Sequence, residues 1–217
     1  MKKRLDKLHY LLYNIDGKMR EKKEMRKNLL QSGNQKLSRD ILVFNLPPGR
    51  SCLDHKQCYK TCYARKAYRQ YPAVKISWNY NLDLAINNPD KLYCLLTEQL
   101  KNTKKDKIRI HSSGDYFSQD YLDLWEKIIR NFPDKRFYAY TKSNKILNFN
   151  KINKLKNFNL INSFIAGKLN YGSAVHCDNL VKNHDAFLCP ATKGKGTTCG
   201  LDCNYCITKN KPVFIIH

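Results

Sequence analysis

The sequence predicts an α/β fold built on a mainly parallel sheet. Two observations carry that prediction: short β-prone runs alternate with helix-patterned stretches from residue 41 onward, and such alternation is the signature of strands joined by crossover helices. A third supports a folded core, because 42% of the 217 residues are hydrophobic and 12% aromatic, enough to exclude global disorder. No repeat period or low-complexity tract interrupts the pattern.

Residues 2–30 read as one long amphipathic helix or a helix pair. Leu5, Leu8, Leu11, Leu12 and Ile15 recur at helical spacing, Met19, Met25 and Leu29 continue it, and Gly17 is a candidate break. Ten basic residues against four acidic ones give this segment a net +6. It reads equally as a solvated helix face and as an arm that meets nucleic acid. Ser32-Gly33-Asn34 ends the region.

Ile41-Leu42-Val43-Phe44 is the first strand of the alternating part, and the turn Leu46-Pro47-Pro48-Gly49-Arg50 leads into a cysteine group. Residues 60–71 look helical. A second helical stretch covers about 77–101, broken at Asn88-Pro89, where Pro89 can open a new helix. Lys107 to His111 is a strand, and Tyr121, Leu122, Leu124, Trp125, Ile128 and Ile129 mark a helix that Ser118-Gln119-Asp120 can cap. Arg136 to Tyr140 is the next strand, 144–156 a weaker helix, and Phe158 to Ile165 another strand. Phe187-Leu188 and Val213 to Ile216 are later β-prone pieces.

Forty Lys+Arg against eighteen Asp+Glu leave a formal charge of +22. That excess favours an anionic partner, nucleic acid first and an anionic membrane surface second. No apolar run approaches the roughly 18 residues needed to cross a bilayer. The opening Met1-Lys2-Lys3-Arg4-Leu5-Asp6 runs into charged sequence rather than an apolar signal core. The expectation is a cytoplasmic protein, and in a reducing compartment clustered cysteines bind metal more often than they form disulfides.

The nine cysteines are grouped. Cys52, Cys58 and Cys62 are spaced C-x5-C-x3-C; Cys189, Cys199, Cys203 and Cys206 are spaced C-x9-C-x3-C-x2-C. Thiolates are soft ligands that select zinc or iron–sulfur over magnesium or calcium. Four cysteines close a tetrahedral zinc site or fill a [4Fe–4S] cluster. Three leave one coordination position open, unless His55 completes a closed zinc site as Cys52-x2-His55-x2-Cys58-x3-Cys62. Cys94, among Leu92, Tyr93, Leu95 and Leu96, reads as a small buried hydrophobe. Cys177, beside His176, reads as core or as a spare ligand.

The Lys107–His111 strand leads directly into Ser112-Ser113-Gly114-Asp115. Ligands of parallel α/β folds bind at the carboxyl ends of strands. Small Ser113 and Gly114 let a ligand approach the backbone, and Asp115 can pair with an amine; a plain helix-capping turn is the other reading. The next strand ends at Thr141-Lys142-Ser143, which would reach the same rim or form an ordinary turn.

These residues together resemble the phage and mobile-element "gene product 88" family. The resemblance runs through Asn34-x-Lys36-Leu37, Phe44-x-Leu46-Pro47, Ser51-Cys52, Cys58 and Cys62-Tyr63-Ala64-Arg65. It continues through Arg109-x-His111-x-Ser113-Gly114-Asp115-Tyr116-Phe117, Tyr140-Thr141-Lys142 and the terminal cysteines, over roughly residues 33–206. The layout is more distantly similar to radical S-adenosylmethionine enzymes. That resemblance implies a partial (β/α) barrel in which Cys52, Cys58 and Cys62 hold a [4Fe–4S] cluster. Ser113, Gly114 and Asp115 would line the S-adenosylmethionine-binding loop, with Tyr63, Thr141 and Lys142 beside it. The superfamily's usual spacing is C-x3-C-x2-C, which residues 52–62 lack and Cys199-x3-Cys203-x2-Cys206 has. Only 11 residues follow Cys206, too few to build a barrel after it, so Cys189, Cys199, Cys203 and Cys206 are assigned to a second cluster or zinc site.

The expected organisation is a basic helical extension over 1–32, an α/β partial barrel over 33–180, and a cysteine-rich metal or cluster segment over 181–217. The expected function is a radical S-adenosylmethionine-like iron–sulfur enzyme acting on a nucleic acid or nucleotide. The alternative is a non-catalytic, zinc- or iron–sulfur-stapled nucleic-acid-binding protein. A hydrolytic nuclease is disfavoured, because no carboxylate-rich divalent-metal constellation stands out.

Overall fold

Ile41–Phe44 is a strand of four apolar residues, all buried, and a strand that is apolar on both faces must be covered on both. The computed structural model describes residues 28–34, 37–54, 59–60, 62–163, 187–190, 198–208 and 212–213, and in it this strand lies inside a five-stranded sheet. The strands are β1 (Leu30–Ser32), β2 (Ile41–Phe44), β3 (Lys107–Ile110), β4 (Arg136–Thr141) and β5 (Phe158–Asn162), in the spatial order β1-β2-β3-β4-β5. β2 to β5 are parallel, in registers such as Phe44 opposite Ile110 and Ile110 opposite Ala139. The α/β expectation is met. Among the described residues the sheet is open, with β1 and β5 at its edges.

Four helices are described: α1 (Tyr63–Gln70), α2 (Pro72–Asn87), α3 (Pro89–Lys101) and α4 (Gln119–Asn131). Pro72 and Pro89 each open their helix, where a missing N–H costs nothing and the fixed φ suits the first turn. Thus the second helical stretch begins at Pro72, earlier than the expected 77. Leu92, Leu96 and Leu100 recur every four residues on α3 and all are buried. With Trp125, Ile128 and Ile129 of α4 they pack on Phe44, Ile108, Ile110, Phe137 and Ala139 of the sheet. Neighbouring parallel strands joined by right-handed crossovers place their helices on one face.

The opposite face carries a smaller cluster. Ile41, Val43 and Tyr138 pack there with Leu37 and Ile207, while Tyr140, Cys199 and Cys206 lie against them. Alternation along each strand sorts the side chains: Leu42, Phe44, Ile108 and Ile110 face the helices, and Ile41, Val43 and Arg109 face the other way. A separate two-stranded parallel piece pairs β6 (Phe187–Leu188) with β7 (Pro212–Val213).

Several expectations need correction. Leu30–Ser32 is a strand antiparallel to β2 rather than the end of a helix, with Leu30 opposite Phe44; Leu29 and Leu30 are buried in the main core, and that burial decides their conformation. The rest of the basic extension, residues 1–27, lies outside the described residues. The helix expected over 144–156 is two short 3-10 turns, Ser143–Lys145 and Ile152–Lys154. The asparagines there take backbone partners of their own, Asn148 Oδ1 accepting from Asn150 N at 2.9 Å, which competes with helix formation. Cys94 is exposed, not buried, because Leu92, Leu96 and Leu100 set the core-facing phase of α3 and Cys94 falls on the far side. Cys177 lies outside the described residues. No helix among the described residues is long and apolar enough to cross a membrane.

The phase of α3 yields a paired expectation. Leu96→Ala should destabilise the chain by about 2–5 kcal/mol through a core cavity, whereas Cys94→Ala should stay within about 0.5 kcal/mol of the parent. Urea midpoints at a constant unfolding slope measure both.

Candidate functional site at the carboxyl ends of the strands

β3 ends at His111, which has φ 63, an uncommon conformation for a residue with a side chain. It turns the chain out of the sheet while its N–H still bonds Phe44 O at 2.9 Å. The imidazole is buried, its Nε2 2.8 Å from the Tyr121 hydroxyl and its edge against the Tyr116 ring at 4.8 Å. Burial, reinforced by the nearby Arg109 charge, pulls its pKa down to about 3. His111 is therefore neutral at physiological pH and belongs to the support of the loop that follows.

That loop, Ser112 to Asp115, is stitched to the loop after β2. Asn45 Oδ1 accepts from the N–H groups of Ser112 and Ser113, both at 2.9 Å. Ser113 Oγ donates to Leu46 O at 2.8 Å, and Leu46 N donates back to Ser113 O at 3.0 Å. Asp115 N donates to Ser51 O at 3.2 Å, and the buried Ser51 hydroxyl donates to Pro47 O at 2.7 Å. Gly114 has φ +85, and a Cβ there would stand 2.6 Å from both Leu46 Cβ and Ser51 Oγ. Only glycine permits this approach of the two loops.

Asp115 extends the stitching to β4. Its Oδ1 accepts from Thr141 Oγ1 at 2.7 Å and from Tyr116 N at 2.8 Å, and its Oδ2 from Lys142 N at 2.8 Å. Burial raises its pKa while those donors oppose the rise. The buried carboxylate is turned inward onto these three donors. Lys142 Nζ donates to Ser163 Oγ beyond β5 at 3.2 Å.

The first cysteine group enters the same rim. Cys52 follows Ser51 directly, its N–H bonded to Gly49 O at 3.2 Å, and Cys62 precedes the first turn of α1, with Arg65 N bonded to its carbonyl at 3.2 Å. Both are half-buried. Cys58 and His55 lie outside the described residues. Tyr63, 70% exposed, donates its hydroxyl to Ser112 O and so ties Cys62 to the β3 loop. The structure thus gathers Cys52, Cys62, Tyr63, Ser113, Gly114, Asp115, Thr141 and Lys142 at one end of the sheet.

The second cysteine group lies on the face of the sheet opposite α3 and α4. Cys206 receives a hydrogen bond from the Tyr140 hydroxyl at 2.8 Å, and its carbonyl one from Asn159 Nδ2 at 2.6 Å. Burial pushes the Cys206 thiol up to about 12, with the neighbouring Cys189 and Cys199 adding to the rise. Burial also raises Cys199, helped by Cys189 and Cys203. The seven described cysteines form no disulfide. Among the described residues no three His, Cys, Asp or Glu side chains form a ready cage for a metal ion.

Comparison with known proteins decides the relationship. The family model described as "Gene product 88" matches residues 18–209. The chain belongs to the gene product 88 family. It is 31% identical to the Gene 88 protein of Mycobacterium phage D29 over 77% of this chain and 83% of that protein. It is 36% identical to the Gene 88 protein of Mycobacterium phage L5 over 45% of this chain and 46% of that one. No solved structure matches. The gene product 88 match starts at residue 18 rather than 33, so it takes in part of the basic segment. Both cysteine groups and the stitched loops fall within it.

Sequence reasoning passed over Asn45, Ser51 and Arg109 as site residues. Arg109 had a signal: in Lys107-Ile108-Arg109-Ile110 it alternates with two isoleucines and must face away from the helices. Asn45 and Ser51 had none, since the partners that tie them to the β3 loop, Ser112, Ser113 and Asp115, lie more than sixty residues away.

Two outcomes follow from this geometry. Gly114→Ala should cost about 1–3 kcal/mol of unfolding free energy or more, from the positive φ and the 2.6 Å approaches, measured by chemical denaturation. The folded pKa of His111 lies below its ordinary 6.5, so the folded chain binds fewer protons than the unfolded one between those values. Its contribution is present above pH 6.5 and lost as pH falls toward 3. Asp115, raised, acts in the opposite sense and cancels in a comparison of variants. Between pH 7 and 4.5 the parent should lose about 2–3 kcal/mol more than His111→Asn, read from urea midpoints at the two pH values.

Proposed function

We propose that this gene product 88 protein is a radical S-adenosylmethionine-like iron–sulfur enzyme that acts on a nucleic-acid or nucleotide substrate in the cytoplasm. One observation carries the reading. The cysteine-bearing loop after β2 is bonded, through Asn45, Leu46 and Ser51, to the Ser113-Gly114-Asp115 loop after β3. The first two parallel strands of a sequentially ordered sheet therefore present a thiol loop and a small-residue loop side by side. That is the layout a partial (β/α) barrel of this kind requires.

The donor chemistry fits. Cys52 and Cys62 are half-buried thiols at the rim, and the buried Asp115 carboxylate is engaged by Thr141, Lys142 and Tyr116. A soft metal suits that set, and magnesium does not. A [4Fe–4S] cluster held by Cys52, Cys58 and Cys62 would supply the electron that reductively cleaves S-adenosylmethionine. The chain's own contribution is orientation. Asp115 locks the β3 and β4 loops together, Gly114 lets backbone approach backbone, and the Tyr63 hydroxyl pins the start of α1 to Ser112. Lys142 and the +22 charge favour a phosphate-bearing substrate.

A second reading is favoured by that charge and by the inward turn of Asp115. In it both cysteine groups hold zinc and the protein binds nucleic acid without catalysis. Anaerobic purification followed by iron, sulfide and zinc analysis separates the two. The enzyme reading expects iron, sulfide and broad visible absorption, release of 5′-deoxyadenosine with S-adenosylmethionine and a reductant, and loss of that release in Cys62→Ala. Zinc without iron or sulfide overturns it in favour of the second reading.

A further inference from the structure

The face of the sheet opposite α3 and α4 holds a cation for which the described residues offer no acid. Arg109 is half-buried there, its Nε fully enclosed without a hydrogen-bond partner. Among the described residues no carboxylate pairs with it, the one ion pair being Arg130–Glu126 on the surface. An enclosed guanidinium without an anion is costly. Around it stand the rings of Tyr140 and Tyr138, at 5.0 and 6.0 Å, with Tyr63 toward the rim and Cys206 beyond. These are phenols and a thiol, and the thiol belongs to a set of four.

That set is held in place by backbone contacts. Ser38 N donates to Cys199 O at 2.8 Å, Gly200 N to Cys203 O at 2.8 Å, and Lys107 Nζ to Gly200 O at 3.0 Å. Asn159 grips the Cys206 carbonyl and Tyr140 donates to the Cys206 sulfur. Cys189 is buried near Cys199 and Cys206. A divalent ion bound by four thiolates keeps two surplus negative charges. A guanidinium on the same face and a hydroxyl donating to a ligand sulfur are the groups that make such a centre tolerable away from water. Among the described residues the sulfurs do not stand in a closed cage, so the centre requires that the binding energy of the ion draw its ligands together.

We propose that Arg109, assisted by Tyr140, is the charge-compensating positioning residue of a soft-metal centre held by Cys189, Cys199, Cys203 and Cys206 on the face of the sheet opposite α3 and α4. The inference rests on the second cysteine group alone and does not depend on the cluster reading of the rim.

Cobalt(II) titration of the full-length chain tests it, with the rim group removed by Cys52→Ala, Cys58→Ala and Cys62→Ala so that the two readings fail separately. The expected result is one cobalt per chain with intense sulfur-to-cobalt charge-transfer absorption, lost in Cys203→Ser and Cys206→Ser. Arg109→Leu should weaken cobalt binding roughly tenfold or more, and Arg109→Lys should restore most of it. Tyr140→Phe, which removes one oxygen and keeps the ring, should shift the charge-transfer band. Unchanged cobalt stoichiometry in Cys206→Ser overturns the centre. Wild-type cobalt affinity in Arg109→Leu, or in the charge-removing but polar Arg109→Gln should the leucine variant fail to fold, overturns the positioning role, and an unshifted band in Tyr140→Phe overturns the part given to Tyr140.

Discussion

The Asp115 carboxylate is the tie on which the functional end of the molecule depends. It is buried, and it answers three donors: the Thr141 hydroxyl and the backbone N–H groups of Lys142 and Tyr116. Its own N–H reaches Ser51 in the loop after β2. One residue therefore joins the loops that follow three successive parallel strands. Burying a carboxylate is expensive, and a full set of donors is what offsets the cost. The same engagement directs its side chain into the protein, so the candidate site is defined by backbone, thiols and small residues rather than by an exposed acid.

The sheet separates two environments. Toward the helices, leucine, isoleucine and aromatic side chains make an apolar core around Trp125 and Phe44. Toward the other side lie Arg109, two tyrosines and the terminal cysteines. One cysteine group stands at the rim and the other on this face, and Tyr63 and Cys206 are both electrostatic neighbours of Arg109. The Arg109 charge persists: burial works to lower its pKa, yet Tyr63, Tyr138, Tyr140 and Cys206 hold it above the ordinary value.

Much of the architecture was legible locally. Ile41–Phe44, Lys107–Ile110 and Arg136–Thr141 are strands where apolar and alternating runs said they would be, and Pro89 marked a helix start. The errors have particular causes. Leu30 joins a strand because a sheet edge lay within reach, which a helical period within residues 2–30 does not reveal. Residues 144–156 carry apolar spacing, but their asparagines bond locally and break the helix. Cys94 sits among apolar neighbours in sequence, yet three leucines in one phase own the core side of α3. For the site, the Ser113-Gly114-Asp115 loop and the cysteine spacing were readable, whereas the inward turn of Asp115 was not.

From its residues alone this protein declares the kinds of group it carries: cysteines in two sets, a small-residue loop after a strand, and a large positive charge. Those are properties of composition and local spacing, and they survive any arrangement of the chain. Which groups meet is a different matter. Asn45 against Ser112 and Ser113, Asp115 against Thr141, and Arg109 against Tyr140 and Cys206 are pairings across distances of 26 to 97 residues in sequence. They exist because parallel strands in sequential order bring their carboxyl ends to one rim and their alternate side chains to one face. Only the packed sheet sets that order.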